Sequence, residues 1–309
     1  MATPSSSAAS AAPEKRGATR FRWVLLVFVG LLVLGLAVAY VVHERYVAYT
    51  PVAASHVPPD AALVARFDLT HVTLYEPFRR YVFPLADLGN AQRRDRLAAR
   101  GASVAGAVRE VVLAIGTTGT DWLVVLGGKL PSHLDQALAS VLAEEGARVE
   151  RRSQGFVLEP SGLAFAQATD GAFLIAPSAE RLGSALAPRS PIPELLRESG
   201  GVVARRPFVP PPLERFEASF EGGSGVEVRF LATGGPGTEL AVRGLLAGFG
   251  ALHPELAAVA RAATLEAQNG SLRGELRLPS TAAERLAEVL AAQAATWLLS
   301  GQARGALTP

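Results

Sequence analysis

The residues of this chain that could do acid–base or metal chemistry are few and scattered. His43, His56, His71, His133 and His253 stand at no HxH or HExxH spacing, so no two imidazoles are pre-set on one helix face for a metal or a proton relay. Each is expected as a surface or cap residue, with His43 and His56 falling in a juxtamembrane stretch and linker. The fragment most like a metal site is Ser132-His133-Leu134-Asp135, but its two ligands on a helix's first turn fall short of the three or four that zinc takes. The chain has no cysteine, which closes disulfides, thiolate metal sites and cysteine nucleophiles.

Nucleophilic serine chemistry leaves sequence shadows that are missing. No GxSxG elbow occurs, GASVAG at 101–106 misses it by one residue, and Ser-x-x-Lys fails because Leu126 stands three before Lys129, the sole lysine after residue 15. The Gly-rich pieces at 222–225 and 233–237 are read as turns, not phosphate cradles. Paired carboxylates act through proximity in space, so order along the chain leaves glycoside hydrolysis open. Glu144-Glu145 is read as a solvated helix end. No catalytic, cofactor-binding or metal residue is therefore assigned, and no cofactor is implied.

Two further stretches bear on recognition. PFVPPPLERF at 207–216 favours an extended polyproline conformation and is read as a stiff connector between the repeats. Arg79, Arg80, Arg93, Arg94, Arg96 and Arg100 invite an anionic lipid, but the interleaved Asp87 and Asp95 favour a solvated helix face. The formal charge of +2 divides into +3 on residues 1–22 and −1 on the rest. A near-neutral body lacks the basic stripe of a nucleic-acid binder.

Among the elements of the chain the strongest signal is Trp23–Val42, twenty residues without a charge. At 1.5 Å per residue they span roughly 30 Å, the hydrocarbon thickness of a bilayer. Lys15, Arg16, Arg20 and Arg22 precede the segment, whereas Glu44 and Arg45 cancel after it. The positive-inside rule puts the N-terminus in the cytoplasm and the body outside it. A cleaved signal ending at Ala37-Val38-Ala39 is the rival reading, and it exports the body as well.

The expected organisation is a disordered cytoplasmic tail (1–22), a single transmembrane helix (23–42), a Pro-rich linker (43–59), an α+β body and a flexible tail (301–309). Within the body, mainly antiparallel strands are expected at 62–69, 110–116, 121–128, 163–169, 172–176, 215–221, 226–232 and 271–278, several joined by Gly-containing hairpin turns. Covering helices are expected at 132–145 (Ser132 and Asp135 at its start), 179–187 (capped by Ser178), 238–262 (divided at Pro254) and 281–299. In the last, Leu286, Val289, Leu290 and Trp297 recur at helical spacing behind a Thr281/Glu284 capping box.

Residues 166–187 and 267–291 also run in parallel: Ala-Gln, an Asx-Gly turn, a strand, Pro-Ser and Ala-Glu-Arg-Leu, in that order. This points to a divergent tandem repeat, 60–190 and 191–300, with Leu182 matching Leu286 and Leu186 matching Leu290 on one sheet surface. The functional expectation is a single-pass protein of a bacterial cytoplasmic membrane. Its extracytoplasmic interaction or scaffold domain would have an envelope protein as partner and no nucleic acid. A binding module for lipid or another apolar ligand is the second reading, and an envelope hydrolase the third.

Overall fold

Along Val108–Gly116 every second residue is buried: Val108, Glu110, Val112, Ala114 and Gly116. That two-residue period is what a strand shows when one face of its sheet is sealed. The computed structural model describes residues 49–82, 91–104, 106–189, 199–268, 270–289 and 292. Its strands are β1 Ala61–Asp68, β2 Val108–Gly116, β3 Trp122–Gly128, β4 Arg148–Arg152, β5 Gly155–Glu159, β6 Leu163–Gln167 and β7 Phe173–Ala176, then β8 Gly200–Arg205, β9 Leu213–Gly222, β10 Gly225–Gly234, β11 Thr264–Gln268 and β12 Ser271–Pro279. They form one open sheet in the order β11-β12-β10-β9-β8-β1-β2-β3-β7-β6-β5-β4. Each neighbouring pair is antiparallel.

The helices are α1 Val72–Pro77, which runs into a π-helical turn Phe78–Val82, α2 Ala91–Ala99, α3 Leu134–Glu144, α4 Ala179–Ala185, α5 Thr238–Ala251, α6 Pro254–Ala262 and α7, residues 280–289. Pro254 divides α5 from α6 because its ring suits a helix's first position and not its interior. Ser178 caps α4 by accepting from the Arg181 backbone N–H at 3.2 Å. Two expected caps are replaced by distant partners. Gln167 Oε1, not Ser132, accepts from the Leu134 backbone N–H at 3.2 Å, and Glu284 pairs with Arg80 rather than turning back on its own helix.

Directly opposed residues of antiparallel strands share a face. The path Leu174, Val125, Val112, Arg66, Gly201, Ser219, Arg229, Glu275 therefore marks one side of the sheet, here called the front, from β7 to β12. Its first half is apolar and covered by α4 and residues 53–57, in a core of Val112, Leu123, Val125, Leu174 and Leu182. Its second half, from β9 to β12, carries ion pairs such as Arg215–Glu217 and Arg229–Glu221. The back is covered towards its two ends: by α2 and α3 over Phe165 and Phe173, and by α5, α6 and α7 over Phe230, Leu272, Leu276 and Leu278.

β1–β3 and β8–β10 each form a three-strand meander followed by a helical segment; β4–β7 then form a four-strand meander whose last strand returns beside β3, whereas β11–β12 form a hairpin whose last strand returns beside β10. The expected superposition of the following helices fails. Leu182 packs with Leu174 on the front, whereas Leu286 packs with Leu276, which neighbours Glu275 and so faces the back. Leu290 and Trp297 lie outside the described residues. So do the tail 1–22, the segment 23–42 and the terminus 301–309; among the described residues no helix is long and apolar enough to cross a membrane.

Candidate functional site

Three places gather chemistry: the segment before β1, the seam between α2 and α3, and the outer face of α5. The first falls inside the stretch expected as an extended linker. Ala53–His56 instead forms a 3-10 turn with Ala53, Ala54 and His56 buried. Ala-Ala-Ser-His-Val supplies small and apolar side chains that seal the front of the sheet, which outweighs the extending tendency of the flanking prolines. This strap is held by polar contacts. The Ala53 backbone N–H donates to Glu110 Oε2 at 3.0 Å, and the Arg189 backbone N–H donates to Ser55 O at 2.7 Å. Glu110 is itself fully buried on β2 and accepts from Arg66 Nε on β1 at 2.6 Å, with Arg66 only 1 % exposed. A buried carboxylate persists when it is paired and hydrogen-bonded in this way.

His56, expected at a surface or cap, lies at the bottom of the strap. Its Nδ1 is 2.7 Å from Ala185 O at the end of α4, and its Nε2 is 2.9 Å from Asp170 Oδ2 in the β6–β7 turn. Nearby, Arg181 Nη1 donates to both oxygens of Asp60 at 3.0 Å, and its Nε faces Asp121 Oδ1 at 3.0 Å. The guanidinium thus joins the strap's end to the β2–β3 hairpin. The other histidines are ordinary: His71 is exposed, His253 caps α6 by accepting from the Glu255 backbone N–H, and His133 Nε2 meets Arg100 O at 3.2 Å. His43 lies outside the described residues. Among the described residues no three His, Asp or Glu gather as a metal site.

The arginine group is an ion-pair seam rather than a free cationic face. Arg93 and Arg100 of the α2 region pair with Glu145 and Glu144 at the end of α3, and Arg96 stands 3.9 Å from Glu145. Glu145, expected to be solvated, is only 15 % exposed. Arg79 pairs with Glu76, Arg80 with Glu284, and Arg94 lies 4.0 Å from Asp95. Hydrogen bonding to Glu76 holds the exposed Arg79 guanidinium above its usual value, and Tyr81 and then Glu284 do the same for Arg80. These are surface cations made more permanent, not proton-transfer groups. The proline-rich 207–216 forms the β8–β9 loop and the start of β9, with Val209 and Leu213 buried, so it connects strands within the second half.

Two open grooves flank α4. One of about 720 Å³ runs along Arg148, Arg152, Glu159, Pro160 and Pro177. The other, of about 500 Å³, is lined by Pro58, Asp60, Asp121, Glu180, Arg181 and Arg189. Both are open grooves edged by charged side chains rather than enclosed cavities, so neither surrounds an apolar guest.

The outer face of α5 differs in kind. Leu240, Gly244, Ala247, Gly248 and Ala251 are all exposed and follow one another at helical spacing, with Leu240 77 % exposed. Leu245 and Leu252, each 39 % exposed, border this stripe. The charged side chains of α5, Glu239 and Arg243, are paired with each other beside it. A Cβ at Gly244 or Gly248 would meet nothing within 4 Å, so internal packing does not require glycine at either place. Yet each costs about 1 kcal/mol relative to alanine in a helix interior.

These features define an α+β protein built on one large, open, mainly antiparallel sheet, with an uncharged helix face and no assembled catalytic cluster among the described residues. No protein-family model and no curated protein matches the chain. Among solved structures, TP0453 in its crystal form III is similar, with a TM-score of 0.50 at 12 % identity over 79 % of this chain and 99 % of that one. Crystal form I of TP0453 gives 0.49 at 12 % identity over 80 % and 98 %. At such identity the likeness speaks for the fold.

Proposed function

We propose that the chain is a membrane-anchored extracytoplasmic interaction domain whose partner is an envelope protein that docks a helix on α5. The anchor is the uncharged segment 23–42, with the N-terminus in the cytoplasm. It rests on segment length and flanking charge in the sequence. The docking reading rests on the α5 stripe. A protruding Leu240 beside a notch at Gly244 and Gly248 suits a second helix, because absent side chains let two helix backbones approach closely. A divergent repeat is supported only by the two three-strand meanders, each with a later strand returning beside its third, since α4 and α7 take opposite faces.

The test is a photo-crosslinking residue at Ala247 in the full chain, irradiated in its native membrane, with and without Leu240→Glu. A discrete protein adduct is expected that Leu240→Glu abolishes while the melting temperature stays the same, because Leu240 is already exposed. Adducts to lipid alone, or a protein adduct indifferent to Leu240→Glu, would remove the docking face from this account.

A further inference from the structure

Toward the centre of its back the sheet presents several apolar side chains that none of the cores described above takes in. Following directly opposed residues, one row runs Ile175, Val124, Leu113, Ala65 and Val202 across β7, β3, β2, β1 and β8, and Ile115 and Leu63 stand opposed in the next row. Leu113, Ile115, Val124 and Val202 are only half-buried and join no buried cluster among the described residues. Neither row contains a charged side chain, and at a strand spacing of ~4.8 Å the longer one is about 19 Å wide. Aliphatic residues in the middle of a sheet, on a face that helices cover to either side, call for a cover of their own.

We propose that the C-terminal segment 290–300, the continuation of α7, is that cover, folded back on the centre of the sheet in the same chain. α7 already lies on this face, with Leu286 against the core around Leu276. Its Glu284 pairs with Arg80 and accepts from the Tyr81 hydroxyl at 3.3 Å. The same π-helical turn sets Phe78 against Phe67 of β1, with ring centroids 4.9 Å apart. The last described turns of the chain are therefore tied to an element that touches the border of the apolar area.

Length and composition both suit the segment to this place. From Leu286 to Trp297 the chain covers about 16 Å if helical and more if extended. From β12, under Leu286, to β1 the sheet order gives four strand spacings, about 19 Å. Residues 289–303 carry no charge and bring Leu290, Trp297, Leu298 and Leu299 to a surface that has no charge to offer. A lipid or a partner's helix would meet the same surface, but each must arrive from solution, whereas covalent attachment gives the chain's own segment a high effective concentration there. The cover depends on neither the anchor at 23–42 nor the α5 docking face.

A benzophenone amino acid in place of Trp297, irradiated in the full chain in detergent micelles and mapped by mass spectrometry, should attach within Ala61–Asp68, Val108–Gly116 or Gly200–Arg205. Mixing isotopically light and heavy chains should give no mixed adducts, because the contact is within one chain. Adducts to detergent, to a second chain or to other segments would overturn the cover. Independently, Trp297→Asp with Leu298→Asp in the full chain should raise hydroxyl-radical labelling of Leu113, Val124 and Val202 several-fold. Leu123 and Leu174, sealed on the front, should keep their labelling. Back residues that label as in the wild type, or a rise shared by Leu123 and Leu174, would equally contradict a local cover.

Discussion

Removing the carboxylate of Glu110 tests the framework that carries the strap. Glu110 is 0 % and Arg66 1 % exposed, so Glu110→Ala leaves a guanidinium buried without its closest counter-charge. Breaking a buried pair in this way costs about 3–5 kcal/mol. Asp68 is a poor substitute, since its Oδ2 is 3.8 Å from Arg66 Nη2 and it is partly solvated. The Ala53 N–H also loses its acceptor, which adds about 1 kcal/mol or more. The total, about 4–6 kcal/mol, is a large part of the 5–15 kcal/mol that usually separates folded from unfolded. Urea unfolding of the full chain in detergent, followed by near-ultraviolet circular dichroism, measures it. Replacing both partners, Arg66→Leu with Glu110→Leu, should recover most of the loss, because no buried charge is left. A Glu110→Ala protein within about 1 kcal/mol of wild type would show that water or another group already compensates Arg66, and the reasoning would fail.

Other outcomes follow from single contacts. Gly200 has φ +139° at the β8–β1 joint, and a Cβ there would stand 2.2 Å from the Arg66 carbonyl oxygen. Gly200→Ala should cost at least about 1–3 kcal/mol of backbone strain, seen as a lowered urea midpoint. Arg93→Ala should lose about 1–2 kcal/mol, because Arg93 and Glu145 are 12 % and 15 % exposed. Arg243→Ala, which breaks an exposed pair on α5, should change stability by less than about 0.5 kcal/mol in the same measurement.

What the sequence revealed follows solvent exposure. β2, β3, β10 and β12 alternate or run apolar because at least one of their faces is sealed, and their residues say so. β4, Arg148–Arg152, is an edge strand with its side chains largely in water, so Arg-Val-Glu-Arg-Arg reads as polar loop although charge on an edge is what discourages wrong pairing. β8 opens with Gly200 and Gly201, normally turn residues. Gly201 lies opposite the buried Arg66, and at Gly200 a Cβ would stand 2.2 Å from the Arg66 carbonyl oxygen. The strap's contacts join residues 57, 114 and 129 positions apart, and no local spacing could announce them. The signal that was present is the run of small and apolar residues around His56, which a solvated linker does not need. The tandem pattern of 166–187 and 267–291 coincides with two antiparallel pairs, β6–β7 and β11–β12, each followed by a helix. It could not report that the helices after β7 and β12 turn to opposite faces, because a shift of one residue in strand register exchanges the faces while leaving the order of motifs intact.

The central claim is that segment 23–42 remains attached and holds the body outside the cytoplasm. The most direct test is to express the full chain with a reporter active only outside the cytoplasm fused after Pro309, wash the membranes with carbonate, and determine the N-terminus of the retained protein. The account predicts an active reporter, retention in the membrane pellet, and an N-terminus at Met1 or Ala2. A soluble mature form beginning at Tyr40 would make the segment a cleaved signal, and an inactive reporter on an intact chain would place the body on the wrong side of the membrane.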